Sequence, residues 1–270
     1  MQIDHVAFGW DDLDPVREAL DAVGLAFEYG GTHADGTTHM ALTGFADGSY
    51  LEYIAPTEGT DPDEAGFWPT ALGARAGPAA WCVRVDDVVQ ETKRAIDAGF
   101  AVEGPIHGGR DRPDGRRVEW DQTFERVDSR NRWLVPFPIV DRTPRAWRVS
   151  ETPDVVALTG IDTVVLGVES VDDAAALFDR RYRIPTPAPI ETEAIDGDAA
   201  TVPGFPAAFV RADDARLDAV SERPTAVLLG TDDLATARAA YDLTAPVEWG
   251  DRRVAWFDHD VFRGRVGVVE

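Results

Sequence analysis

Ile3-Asp4-His5-Val6-Ala7-Phe8-Gly9-Trp10 is a short apolar strand interrupted by one acid and one imidazole, and the residues after it decide the fold. Asp11 to Asp14 and Pro15 come next, with Asp14 the expected N-cap and Pro15 the expected first helical residue. Val16, Ala19, Leu20 and Val23 fall at i, i+3, i+4 and i+7, a helical stripe that Gly24 closes. Phe27-Glu28-Tyr29 reads as a strand, and segments 38–46 and 49–54 flank Asp47-Gly48, a two-residue hairpin signal. The unit is therefore strand, helix and three strands, or βαβββ.

The same pattern recurs three times along the chain, and repetition at this scale is an architectural signal. Ala80-Trp81-Cys82-Val83-Arg84-Val85 leads through Asp86 and Asp87 to a helix carrying Val89 and Ile96 one heptad apart and ending at Gly99. Asp114-Gly115 then precedes the strand Arg116 to Trp120, and Trp133 to Phe137 closes the unit. Ile161 to Gly167, with Ser170 as cap, begins a third unit, whose stripe is Val171, Ala174, Ala175 and Phe178. Thr225 to Gly230, with Asp232 and Asp233 as caps, begins a fourth, with Leu234, Ala237 and Tyr241 facing inward. The expected division is a first domain over 1–142 (modules 1–76 and 77–142), a linker over 143–154, and a second, diverged pair of modules over 155–270.

The formal charge is −23, and of 26 basic residues only Lys93 is not arginine. An acidic, lysine-poor surface suits a high-salt cytoplasm, where carboxylates stay hydrated and salt screens their repulsion. It argues against nucleic acid as a partner. With Cys82 the single cysteine, no disulfide can form within the chain. The start of the sequence has no basic and apolar leader pattern, and no apolar stretch reaches membrane-spanning length. A cytoplasmic protein, monomeric or homodimeric, with a small-molecule ligand is the expectation.

The motifs go further. Ile3-Asp4-His5-Val6, Gly30-Gly31-Thr32-His33, Gly36-Thr37 and Gly48-Ser49-Tyr50-Leu51-Glu52 resemble the first half of the glyoxalase-like domain family of the vicinal oxygen chelate superfamily. Val83-Arg84-Val85-Asp86-Asp87, Arg112-Pro113-Asp114-Gly115, Trp120 and Leu134-Val135-Pro136-Phe137 resemble its second half. The resemblance implies an α+β fold of four tandem βαβββ modules paired into cup-shaped half-barrels. It also implies metal ligands on the first and fourth strands of the modules. Carried over by position, these are His5 and Glu52 in module one, Ala80 and Val135 or Pro136 in module two, Thr163 in module three and Ala226 in module four. Only the first module offers chelating groups there.

Imidazole plus carboxylate suits one divalent ion, Zn²⁺, Mn²⁺ or Fe²⁺; the equal alternative is a His–Glu hydrogen bond in a cavity with no metal. Glu52 is also the expected catalytic residue. The expected substrate-binding residues are His33 in the Gly30-Gly31 loop, His39 on the Glu52 face of its strand, Tyr50, Arg112 in an arginine-rich hairpin, Trp120 and Phe137. His107 and His259 are expected in loops or turns, and Cys82 as a buried, inert thiol. Two functions remain open: a metal-dependent isomerase or lyase acting on a small oxygenated molecule in the N-terminal cup, or a metal-free protein that binds or sequesters one. Thr163 and Ala226 argue against an extradiol dioxygenase, and the ligand-free second module against the glyoxalase I reaction.

Overall fold

In a computed structural model of the chain, all residues are described except 63–64, 66–76, 127–132, 151–154, 196 and 212–221. Module one runs β1 (Gln2–Gly9), α1 (Leu13–Val23), β2 (Glu28–His33), β3 (Thr38–Gly44) and β4 (Tyr50–Pro56). Module two repeats it as β5 (Gly77–Arg84), α2 (Val88–Asp97), β6 (Ala101–Asp111), β7 (Arg117–Arg126) and β8 (Phe137–Asp141). After a single-turn helix, α3 (Arg145–Arg148), module three is β9 (Gly160–Val168), α4 (Val171–Tyr182), β10 (Ala188–Ile190), β11 (Ala199–Thr201) and β12 (Ala207–Arg211). Module four is β13 (Arg223–Gly230), α5 (Leu234–Ala240), β14 (Val247–Trp249), β15 (Arg252–Trp256) and β16 (Val266–Val269). The four tandem βαβββ modules anticipated from the sequence are thus present.

The first two modules close into a barrel of order β1-β4-β3-β2-β6-β7-β8-β5, and the last two form an eight-stranded sheet of order β10-β11-β12-β9-β13-β16-β15-β14. The outer faces of β1 and β5 meet β9, β13 and the helices in one apolar core, where Val6, Phe8, Trp81, Val83, Val164, Leu166, Val227 and Leu229 are buried together. Trp81 is fully enclosed, and its indole N–H donates to the Leu134 carbonyl at 2.9 Å, so its one polar atom is satisfied. The two halves are also clasped by an ion pair, Arg181 of α4 with Glu125 of β7.

Three local expectations change. The cap of α1 is Asp12, whose side chain accepts from the Asp14 N–H, with Pro15 in the third helical position. Proline is tolerated there because first-turn N–H groups have no intrahelical partner. In α2 the buried positions are Val88, Thr92 and Ala95, while Val89 and Ile96 face solvent; the inward stripe is i, i+4, i+7 from Val88, and the Thr92 hydroxyl is satisfied by the Val88 carbonyl and Thr123.

The third change matters for the site. Gly44 pairs with Tyr50 and Leu42 with Glu52, so the β3–β4 connection is five residues, 45–49, rather than the two-residue turn Asp47-Gly48. Asp47 Oδ1 accepts from both the Ser49 N–H (2.8 Å) and the Ser49 hydroxyl (2.6 Å), and Ser49 Oγ in turn accepts the Ile161 N–H (2.9 Å). The loop is thus built around the Asp47 side chain and moored to the second half. The one-residue difference in register exchanges the faces of β3. Met40 and Leu42 point into the barrel, and His39, Ala41 and Thr43 point out.

Candidate functional site

The site begins with a β-bulge. Ile3 pairs with Val83 and His5 with Cys82, so Asp4 and His5 together oppose one residue of β5. A strand without a bulge would send neighbours to opposite faces. Here His5 Nδ1 and Asp4 Oδ1 meet at 2.8 Å, both residues buried. The bulge also separates His5 from Ile3, which joins the outer core while Ala7 stays on the inner face. Across Ala7 on the parallel strand β4 sits Glu52. The methyl side chain of Ala7 leaves room for Glu52 Oε2 to lie 3.2 Å from His5 Nε2. The last residue of β2, His33, brings its Nε2 to 3.5 Å from Glu52 Oε1, while its Nδ1 meets the Thr38 hydroxyl at 2.8 Å. A glutamate bracketed by two imidazoles therefore lies in the barrel.

These groups line a cavity of about 260 Å³. Its walls are Ile106, Trp120, Phe124, Phe137 and Ile139, and its polar surface includes His5, His33, Tyr50, Glu52, Arg110 and Arg148. Tyr50 stacks on the His5 ring at 4.8 Å, and Phe137 meets it edge-on at 5.5 Å, fixing the imidazole plane. Behind the cavity, Asp4 Oδ2 accepts from Arg145 Nη1 (2.6 Å) and Arg84 Nε (3.3 Å), and Asp141 accepts from Arg145 (3.2 Å) and Arg148 (2.6 Å). Burial pushes the Asp4 carboxyl up, but the hydrogen bond to His5 and the charges of Arg145, His5 and Arg148 outweigh it, so Asp4 lies well below the usual carboxylate range. Glu52 follows the same logic. Its burial penalty is overcome by His5, His33 and Arg110, and it too is held below its ordinary value. Both are carboxylates at neutral pH. Burial dominates at Tyr50 and raises its pKa, so the phenol stays protonated.

The site residues anticipated from the sequence are brought together with two exceptions. His5, His33, Tyr50, Glu52, Trp120 and Phe137 all line the cavity, and His33 belongs to β2 rather than to a loop. His39 points outward, with Nδ1 3.4 Å from the Tyr29 hydroxyl, because of the register of β3. Arg112 also lies outside the cavity, donating to the Trp147 carbonyl (2.7 Å) and to Glu28 (3.1 Å). The arginines that do reach the cavity are Arg110 and Arg148, the latter from the segment 143–154 expected to be only a linker, whose end at 151–154 lies outside the described residues. Asp141 ends β8 while Arg145 and Arg148 open and close α3, so their shared placement comes from the turn between strand and helix and not from a helical spacing readable in the sequence.

Strand registers show where each module would place a ligand. The bulge at Asp4 recurs at Ala79, Asp162 and Thr225, which makes Ala80, Thr163 and Ala226 the counterparts of His5. The parallel pairing of Ala7 with Glu52 recurs as Cys82 with Phe137, Val165 with Ala208 and Leu228 with Gly267. The fourth-strand position of module two is thus Phe137, not Val135 or Pro136, because β8 starts later than the sequence suggests. Module three keeps the acid, but Asp162 is locked by Thr163 (2.6 Å) and by two bonds from Arg252 (2.8 and 3.0 Å). The inner face of the second sheet is filled by Ala194, Ile195, Trp249 and Trp256.

Could the site hold a metal? Asp4, His5 and Cys82 have ligand-type atoms within 4.8 Å of one another, yet they do not suit an ion. Asp4 is already spent on His5, Arg84 and Arg145, and burial keeps the Cys82 thiol protonated. Asp4 instead fits the role of the carboxylate behind a ligating imidazole. His5 Nε2 and Glu52 Oε2 do fit as a pair: two ligands each about 2.1 Å from one ion lie roughly 3.0–3.5 Å apart, matching their separation of 3.2 Å. His33 Nε2 faces the other oxygen of Glu52, Oε1, at 3.5 Å, and the three residues do not form a set whose ligand atoms all lie within 4.8 Å of one another.

Residues 3–182 match the glyoxalase-like domain family. The chain belongs to that family. Solved structures agree on the fold. A hypothetical protein from Staphylococcus aureus superposes with a TM-score of 0.68 at 13% identity, covering 99% of this chain and 97% of that one. A triple mutant of 4-hydroxymandelate synthase from Streptomyces coelicolor gives 0.58 at 15% identity, covering 99% and 91%. A fusion of a xylose isomerase-like TIM barrel with 4-hydroxyphenylpyruvate dioxygenase gives 0.53 at 13%, covering 99% of this chain and 48% of that one. No curated protein is similar to the chain in sequence. Among the described residues no helix is long and apolar enough to cross a membrane.

Proposed function

We propose that this glyoxalase-like protein is a divalent-metal-dependent isomerase or lyase acting on a small oxygenated molecule in the barrel cavity, with His5 and Glu52 as the metal-holding groups. One observation carries the reading: both ring nitrogens of His5 face carboxylates, Asp4 at 2.8 Å and Glu52 at 3.2 Å. With Nδ1–H donated to Asp4, the Nε2 lone pair confronts an oxygen of an ionised Glu52. Two acceptors at that distance repel unless a metal ion or a second proton on His5 lies between them.

When bound, the metal would polarise an oxygen of the substrate as a Lewis acid. Glu52, held as a carboxylate, would accept a proton from carbon beside that oxygen. The Tyr50 hydroxyl stays protonated and can donate a hydrogen bond, while Trp120, Phe124 and Phe137 exclude water.

A second proton on His5 would relieve the same conflict. That is the physical basis of the alternative, a metal-free protein that binds or sequesters its ligand. Metal content measured by mass spectrometry separates the two, on protein purified in high salt without chelator. The enzyme reading expects about one ion per chain in wild type and none in His5→Ala. Absence of metal from wild type even after reloading with Mn²⁺, Zn²⁺ and Fe²⁺ would sink it.

A further inference from the structure

Arg110 and Arg148 are the two most deeply buried arginines among the described residues, each 2% exposed, and both line the cavity. A guanidinium does not give up its proton, so its burial demands compensation. Arg110 receives little. Among the described residues it donates to the carbonyls of Gly30 and of Arg148 (2.8 Å), and no carboxylate pairs with it. Burial depresses its pKa, and Tyr50 and Glu52 offset that only in part. Arg148 is satisfied at Nε by Asp141 (2.6 Å) and weakly at Nη1 by the Tyr50 hydroxyl (3.3 Å). Its Nη2 is buried with no hydrogen-bond partner.

The wider charge pattern agrees. Arg84, Arg110, Arg145 and Arg148 surround this end of the barrel against the carboxylates of Asp4, Glu52 and Asp141. Among these seven groups one positive charge is left over before the histidines and the exposed Asp35, which also lines the cavity, are counted, in a chain whose net charge is −23. Among the described residues no acid pairs with Arg110 in hydrogen-bonding contact, although one there would lower the cost of its burial.

We infer that the cavity takes a small monoanion, a carboxylate on an apolar planar body, with the carboxylate at Arg148 and Arg110 and the body between Trp120, Phe124 and Phe137. Guanidinium recognises carboxylate through directed, charge-assisted hydrogen bonds. Arg148 also lies over the Trp120 ring at 4.4 Å, so the anion-binding group and the apolar wall are held as one piece. The cation reaches the cavity through α3, so the segment joining the two halves supplies a specificity-determining side chain.

This substrate class rests on the cavity being the site of function, but not on the metal. The test uses the matched probes benzoate and benzamide, titrated by calorimetry into the full-length chain, once chelator-treated and once Mn²⁺-loaded. In chelator-treated wild type, benzoate should bind at least about tenfold more tightly than benzamide. That preference should fall below about threefold in Arg148→Met and in Arg110→Met, and persist in His39→Ala, whose side chain points out of the barrel. Equal binding of the two probes, or binding of neither, in chelator-treated wild type overturns the inference whether or not either variant folds. Failure to take up Mn²⁺ with the benzoate preference intact would overturn the metal reading and leave this one standing.

Discussion

Replacing Arg181 with methionine removes the clasp between the two halves, and the structure sets the size of the loss. Arg181 donates from Nε and Nη2 to the two carboxylate oxygens of Glu125, each at 2.7 Å, with a longer contact to Glu91 at 3.4 Å. The paired side chains are 3% and 1% exposed. Removing one partner of such a buried pair costs about 3–5 kcal/mol, whereas replacing both with apolar groups of similar volume is close to neutral. Arg181→Met should therefore lose about 3–5 kcal/mol near neutral pH, and Arg181→Met with Glu125→Leu should recover most of it.

The pH dependence has a defined sign. Burial raises the Glu125 pKa, and the hydrogen bond and charge of Arg181 counter it. Without Arg181 the folded-state value rises further, so folded Glu125 keeps a proton that the unfolded chain releases near the ordinary carboxylate value of about 4.3. The folded state then binds more protons than the unfolded one, and the variant loses stability as pH rises above that value. The deficit against wild type should shrink toward about pH 4. Urea unfolding at fixed high salt, with slopes compared between variants, measures this. A loss under about 1 kcal/mol near neutral pH, or a double variant as weak as the single one, would refute the buried-pair account.

Asp4→Asn should weaken metal binding by about 10–100-fold without removing a ligand, because an amide orients His5 less strongly; competitive titration against a chelating dye measures it. Gly31 has φ +110°, and an added Cβ would lie 1.9 Å from the Asp111 carbonyl. Gly31→Ala should thus cost at least about 1–3 kcal/mol and open the β2–β6 seam, visible as accelerated amide exchange in those strands. His39→Ala should leave metal affinity within about twofold of wild type, since the side chain lies outside the barrel; a larger loss would contradict the β3 register.

Much of the fold was legible because it is written in short-range pattern. The stripe of α1, the Ser170 and Asp233 caps and the four strand openings survive into the structure, each set by residues within a turn of one another. Register was harder. The Asp47-Gly48 signal is local, but the loop length depends on Ser49 bonding a residue more than a hundred positions away, and that one-residue change moved His39 out of the barrel. His5 and Glu52 were readable as polar residues in apolar strands. Asp4 was not, because only a bulge lets it share the face of His5. Arg148 was hidden in a segment without apolar periodicity, its role set by packing against Trp120 and Asp141.

Whether His5 and Glu52 share one cation is read most directly by Co²⁺ titration followed by visible absorption. Wild type should saturate at about one Co²⁺ per chain with a spectrum of nitrogen–oxygen ligation. His5→Ala and Glu52→Gln should each abolish stoichiometric binding. A wild-type protein that gives only the spectrum of free Co²⁺, or a spectrum and affinity unchanged in both variants, would contradict a shared cation at these two residues.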